Sequence, residues 1–454
     1  MKKNNSSFGA LFVMALIVGG VLFVYFSSMF ERNTPTVVIE NNNGYWNLKK
    51  PLKVKIEDDS GIKSYKITLK SKKESKVLEY EQLITPESNI TLEVEPPRSA
   101  YGMKEKDIEI VVEAQDVSKW NFLSGNSLRK VYKFKIDKRR PKLSIVSNSY
   151  KITRGGSALV IFKVDDENLD EFYIEGNHKK RFIPQPFYKD GYYISLLAWP
   201  VQDSTFKATI VATDKAGNIS KDHVPLYLKA KRYKVSKIKI SDRFLKGKIA
   251  DLAEEFAETA GVTDSIEQFK IINEDVREKN EALIHKLTSQ VKPEKISKFK
   301  MNKMYPLKNA KVVASFGDHR KYLYDGEYIS ESYHLGLDLA SNAMAQIKPQ
   351  NGGEVVFADF NGLYGNMPAL YHGLGLYTIY GHCSSIKVNV GDVTTKNETI
   401  ANTGKSGYAM GDHLHFGVLV QGIEVRPQEW MDRQWIRLNI TDIIKSAKKI
   451  INRN

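Results

Sequence analysis

"GDHLHFGV", residues 411–418, is the stretch on which the reading of this chain turns. Leu414, Phe416 and Val418 alternate as the apolar face of a strand, which leaves His413 and His415 side by side on the opposite face. On a helix two rings spaced this way would diverge, so the pair itself argues for β structure. A second segment, "SYHLGLDLAS" (residues 332–341), follows the same pattern: Leu335, Leu337 and Leu339 alternate with His334, Gly336 and Asp338. A helix also brings positions four apart together, but the strict alternation and the central glycine favour a strand. Two strands therefore each present two polar side chains over an apolar floor.

Imidazole nitrogen and carboxylate oxygen suit zinc, and a catalytic zinc site usually takes three protein ligands. The two segments supply four candidates, and His382 in "IYGHCSS" (residues 379–385) is a fifth. One or two of them must have another task. An imidazole beside a metal can accept a proton from water or donate a hydrogen bond to a developing oxyanion. Six of the nine histidines lie between His319 and His415, a crowding that isolated core histidines do not explain.

Working outward, residues 301–432 read as a glycine-rich β domain. Residues 433–454 place Ile440, Ile443, Ile444, Ala447 and Ile451 at helical spacing among lysines. Such an amphipathic helix suits docking on its own protein better than a membrane surface. Upstream, residues 236–300 read as a helical hairpin. Leu245, Ile249, Leu252 and Phe256 recur at three and four residues, with Gly261 as the stop. A second helix is expected from Ser265 to about Leu287, capped by Thr263 or Asp264, with Ile266, Phe269, Ile272, Val276 and Leu283 facing inward. It links two domains, and a covering role over the groove of the last one is a second possibility.

Residues 33–138 and 139–235 alternate in short β runs and carry a weak internal repeat. "VKIEDDSGIKSYKI" from Val54 returns as "FKVDDENLDEFYI" from Phe162, and "IVVEAQDVSKWN" from Ile110 as "IVATDKAGN" from Ile210. Two tandem sandwiches of ~100 residues account for this, the second ending like bacterial immunoglobulin-like modules. His178 and His223 fall in polar turns and His285 on the hairpin, all without matching ligands. Spacing or binding of envelope protein partners is the role expected of the sandwiches.

Residues 1–32 hold Lys2 and Lys3 and then an uncharged apolar run over residues 8–30, enough for a transmembrane helix. The run is longer than the apolar core of a signal peptide and lacks its small-residue cleavage pattern, so an uncleaved inner-membrane anchor is expected. The lysines then stay in the cytoplasm and everything after Arg32 lies outside. The formal charge of +15 is spread through strand-like alternation, a pattern that suits an anionic envelope and argues against nucleic acid as partner. A lone cysteine, Cys383, excludes an internal disulfide.

"HLGLDLAS", "YTIYGHCSS", "ANTGKSG" and "GDHLHFGV" together resemble the lysostaphin and LytM-type zinc metallopeptidases, which hydrolyse peptide bonds of bacterial peptidoglycan. The resemblance spans roughly residues 306–430. It implies an antiparallel β metallopeptidase domain of the duplicated-hybrid-motif type with one Zn2+ per chain. By the resemblance His334, Asp338 and His415 are the metal ligands, and His382 and His413 the catalytic pair. All five positions are filled, unlike in the degenerate, non-hydrolytic members. His372 and His319 match no ligand, and Cys383 is expected in the core. Tyr328, among four tyrosines in residues 321–333, is the expected contributor to a peptide groove or oxyanion contact. The expected protein is thus multidomain and mainly β, anchored in a bacterial inner membrane and working on peptidoglycan from the extracytoplasmic side. The alternatives are a regulator that activates another wall hydrolase, or an envelope peptidase acting on proteins.

Overall fold

The computed structural model describes residues 6–40, 42–98, 103 and 105–453. Lys2 and Lys3, read above as the cytoplasmic tip, lie outside these residues. The chain divides into two compact units: residues 1–141 with 166–171 and 213–219, and residues 142–165, 172–212 and 220–454.

The first unit opens with the helix Ser6–Phe26. At 1.5 Å per residue it is ~30 Å long, the thickness of a bilayer's hydrocarbon core. Its apolar window Phe8–Phe26 is not buried against protein, so it is long and apolar enough to cross a membrane. At its end the Arg32 guanidinium sits over the rings of Tyr25 and Trp120, 4.5 and 4.7 Å from their centroids. The rest is a six-stranded sheet in which the strand Leu52–Lys70 changes partners. Its first half pairs with Thr36–Ile39 and its second half with Asp107–Asp116, while Ser75–Val94 follows both. The switch falls at Gly61, where φ is +100° and the register with Ser75–Val94 shifts. Only glycine holds that backbone cheaply, and the bend lets one strand wrap both sides of a core containing Ile56, Ile62 and Ile67. The two repeat copies share a bonding pattern. Asp116 accepts from the backbone and side-chain nitrogens of Asn126, and Asp214 accepts from both nitrogens of Asn218.

After residue 141 the chain forms two four-stranded sheets. Their orders are Arg181–Phe182, Leu169–Glu175, Thr209–Asp214, Ile219–His223 and Gln185–Pro186, Tyr192–Ala198, Ser157–Asp165, Lys142–Asn148. The C-terminal helix Asp442–Ile451 buries Ile444, Ala447 and Ile451 and packs on Lys142–Asn148 and Ser157–Asp165. This basic helix docks on its own protein.

The hairpin's helices depart from expectation in one instructive way. Asp264 is the cap, accepting from the amides of Ile266 and Glu267. The first helix stops at Glu255, short of Gly261, because Phe256 is extended. In the second helix, Phe269, Ile272 and Val276 are buried as read, but Ile284 is buried where Leu283 was expected. A π-helical turn at Ile272–Val276 takes up one extra residue and rotates everything after it.

The last domain is built on an antiparallel sheet ordered Lys311–Ala314, Leu337–Ala340, Leu414–Val420, Leu376–Gly381, Asn366–Tyr371, Gly353–Phe360, Val393–Thr394. Leu414–Val420 is buried along its whole length. Beside this sheet the hairpin His319–Tyr324 and Glu327–Tyr333 pairs with Val235–Lys239 and packs Tyr322 against Phe269 of the helical segment.

Candidate metal centre

Three adjacent strands build the site. Asp338 on Leu337–Ala340 is the register partner of His415, and Gly381, just before His382, is its partner on the other side. His334 lies in the bend before Leu337 and not on the strand itself, a correction to the alternation reading. Its amide donates to the Asp318 carbonyl and its carbonyl accepts from Gly317, so the preceding turn holds it in place of a ladder.

His334 Nε2, Asp338 Oδ1 and His415 Nδ1 form a triangle with sides of 2.9, 2.9 and 3.2 Å. Bonds of ~2.0 Å in a tetrahedron need donor separations of ~3.3 Å, so the set fits a zinc ion. The tautomer agrees: the Ser315 carbonyl can only accept, so His334 Nδ1 carries the hydrogen and Nε2 offers its lone pair. Gly336 makes room for the third donor, since a Cβ there would lie 2.4 Å from Cε1 and Nε2 of the His415 ring. Burial opposes ionisation of Asp338, but His334 and His415 overcome it and hold the carboxyl well below its usual range.

His382 and His413 stand beside this triangle, their ring centroids 4.8 Å apart. His382 Nδ1 donates to the Ser406 carbonyl and His413 Nδ1 to that of Gly411, which leaves each Nε2 as an acceptor. His413 Nε2 is 3.8 Å from Asp338 Oδ2. Burial, with the neighbouring histidines, lowers His382 to about 3 and keeps it neutral. A positive φ of 65° turns this residue out of the strand toward the site.

All five residues line one cleft of about 430 Å³. Tyr328 does not: it is 56% exposed on the far end of its hairpin, and the tyrosines on the cleft wall are Tyr333, Tyr364 and Tyr408. Arg320 and Arg277 also line it and were not singled out from the sequence. Arg320 follows His319 at the start of a strand, whereas nothing local marks Arg277. The other histidines have structural partners. His372 bonds Gly352 and Thr378, His319 stacks on Tyr333, and His285 meets Glu424 at 2.8 Å. Cys383 is buried, which pushes its thiol up to about 12.

A β domain with two histidines and an aspartate converging in a cleft defines a candidate metallohydrolase. Residues 332–427 match the model of peptidase family M23. The chain is 32% identical over 98 residues to the murein hydrolase activator EnvC of Escherichia coli, covering 22% of this chain and 23% of that protein. It is 31% identical over 94 residues to the DD-carboxypeptidase/endopeptidase Mpg of Neisseria meningitidis, covering 21% and 22%. Among solved structures it is similar to the catalytic domain of lysostaphin from Staphylococcus simulans, at 26% identity, a TM-score of 0.23, and 27% and 92% coverage. It is also similar to a zinc-containing peptidase from Vibrio cholerae, at 13% identity, a TM-score of 0.28, and 71% and 81% coverage. The chain thus spans about a quarter of the length of EnvC and of Mpg.

Proposed function

We propose that this protein is a membrane-anchored zinc endopeptidase that hydrolyses peptide bonds in peptidoglycan stem peptides or cross-links from the extracytoplasmic side of a bacterial inner membrane. The observation that carries the reading is the triangle of His334 Nε2, Asp338 Oδ1 and His415 Nδ1, with two acceptor imidazoles beside it. These three residues would hold the metal, which when bound supplies Lewis acidity toward the scissile carbonyl and acidifies water. His413 and His382 take the proton-transfer and oxyanion roles. The two strand-rich regions, 33–138 and 139–235, serve as immunoglobulin-like spacers or partner-binding domains. Residues 236–300 and 433–454 brace the peptidase region, 301–432, which we assign to the duplicated-hybrid-motif type.

Digestion of purified peptidoglycan by the zinc-loaded full chain in detergent, beside His415→Ala, tests this. New muropeptides released by the wild type alone are expected. No release by either protein, with zinc bound, would favour the regulator reading, and cleavage of envelope proteins alone would favour a protein substrate.

A further inference from the structure

Part of the cleft wall comes from outside the M23 match. Arg277 opens the helix Arg277–Thr288 directly after the π-helical turn and faces the same cleft as Arg320 from the strand His319–Tyr324. The cleft's acids are already engaged. Asp338 belongs to the donor triangle, and Asp412 accepts from the Thr403 hydroxyl at 2.6 Å and the Met344 amide at 2.9 Å. The two guanidiniums line the cleft with carboxylates at 3.8–4.0 Å but no hydrogen bond to any of them.

Arg277 is positioned in advance. Its Nε and Nη2 donate to the carbonyl and side-chain oxygens of Asn273, each at 3.0 Å. Asn273 is itself 1% exposed and tied to Ser330 and the Glu331 carbonyl. Nη1 has Glu281 at 4.0 Å, too far for a hydrogen bond. Burial raises that carboxyl to about 7 against the pull of Arg277, so Glu281 competes weakly as an anion. Arg320 stands 3.8 Å from Asp318 and 3.9 Å from Asp338, again without a hydrogen bond. Both arginines line the same cleft as Tyr408.

We infer that Arg277 and Arg320 form a carboxylate-reading subsite, so that the peptide taken by this cleft carries a free carboxylate near the bond to be cut. A planar guanidinium held in place, as that of Arg277 is, matches a carboxylate's two oxygens at little further cost in order. The inference rests on the hydrolase reading above, and it gives the helical segment a part in substrate choice.

The test uses zinc-loaded full-length protein and a cross-linked stem-peptide dimer in three forms: all carboxylates free, only the chain ends amidated, and all carboxylates amidated. Binding is measured by calorimetry and cleavage by product release. The wild type should favour the free form over the fully amidated one by roughly ten- to a hundredfold, in KM and not in kcat. The singly amidated form tells a chain-end carboxylate from a side-chain one. Arg277→Ala should lose most of the preference with zinc content and unfolding midpoint unchanged, and Arg277→Lys should recover part of it. Retention of the full preference by Arg277→Ala overturns the inference. So does equal acceleration on all three forms, which would make the segment a lid. Preferential binding of the free form without cleavage would uphold the subsite and sink the hydrolase reading. Absence of any binding preference in the wild type would sink the subsite.

Discussion

Asp338 and His415 are 77 residues apart in sequence and direct cross-strand neighbours in the sheet, with Oδ1 2.9 Å from Nδ1. The pairing register of two buried strands therefore sets the geometry of the candidate metal centre. Both strands are pinned by apolar neighbours, since Leu337, Leu339, Leu414 and Phe416 are all at most 1% exposed. A slip by one residue would turn every side chain to the opposite face, so burial protects the site's register.

Removal of a donor should separate binding from chemistry. His415→Ala is expected to lose bound zinc, measured by elemental analysis of gel-filtered protein. His413→Ala and His382→Ala should keep zinc near one per chain while peptidoglycan hydrolysis falls by ~10²-fold or more. Loss of zinc from His413→Ala as complete as from His415→Ala would contradict this division of roles.

Gly336→Ala tests whether a glycine without unusual backbone angles is there to leave space. Its methyl would meet the His415 ring at 2.4 Å. Zinc affinity should drop at least tenfold, with little change in circular dichroism. Unchanged affinity would mean the ring has somewhere else to go.

Glu429 should impose a pH dependence on stability. Burial raises its carboxyl from the usual 4.5 to about 7, against Arg426 and the Ser157 amide. A folded pKa above the unfolded one means the folded state holds the proton longer, so stability is lost as pH rises from about 4.5 to 7. Glu429→Gln removes that loss while keeping an acceptor for Ser157. Denaturant titrations should show the variant gaining on the wild type across this window, by up to about 3 kcal/mol, and no further above pH 8. A constant difference across the window would rule the effect out.

The C-terminal helix offers a test of docking against membrane attachment. Ile444 is 7% exposed and packs toward the strands Lys142–Asn148 and Ser157–Asp165. Ile444→Ala should cost about 2–4 kcal/mol of unfolding free energy. A helix lying on lipid would show no such cost, only weaker vesicle binding.

Much of this site was readable along the chain. Two-residue alternation of leucines with candidate donors, a carboxylate cap at Asp264, and the apolar stripe around Ile444 depend on neighbours within a few positions. So does the choice of donors, because imidazole and carboxylate chemistry belongs to the residues themselves. The phase of the second helix after Val276 was not readable, because one π-helical turn shifts the face presented to the core. Nor was the displacement of Tyr328 to an exposed hairpin end, which depends on which tyrosine the helix Ser265–Ile271 packs against.

By itself the sequence determined the β character of the last domain, the identity of the candidate donors and a helix long enough to span a bilayer. Only the tertiary structure decided that His334 would leave its strand, that His415 would lie between Asp338 and Gly381, and that Arg277 would reach the cleft from another region. The physical reason is one of range. Periodicity, capping and ligand chemistry are short-range properties, whereas strand order and the path of a packed helix follow from surfaces that distant segments bury together.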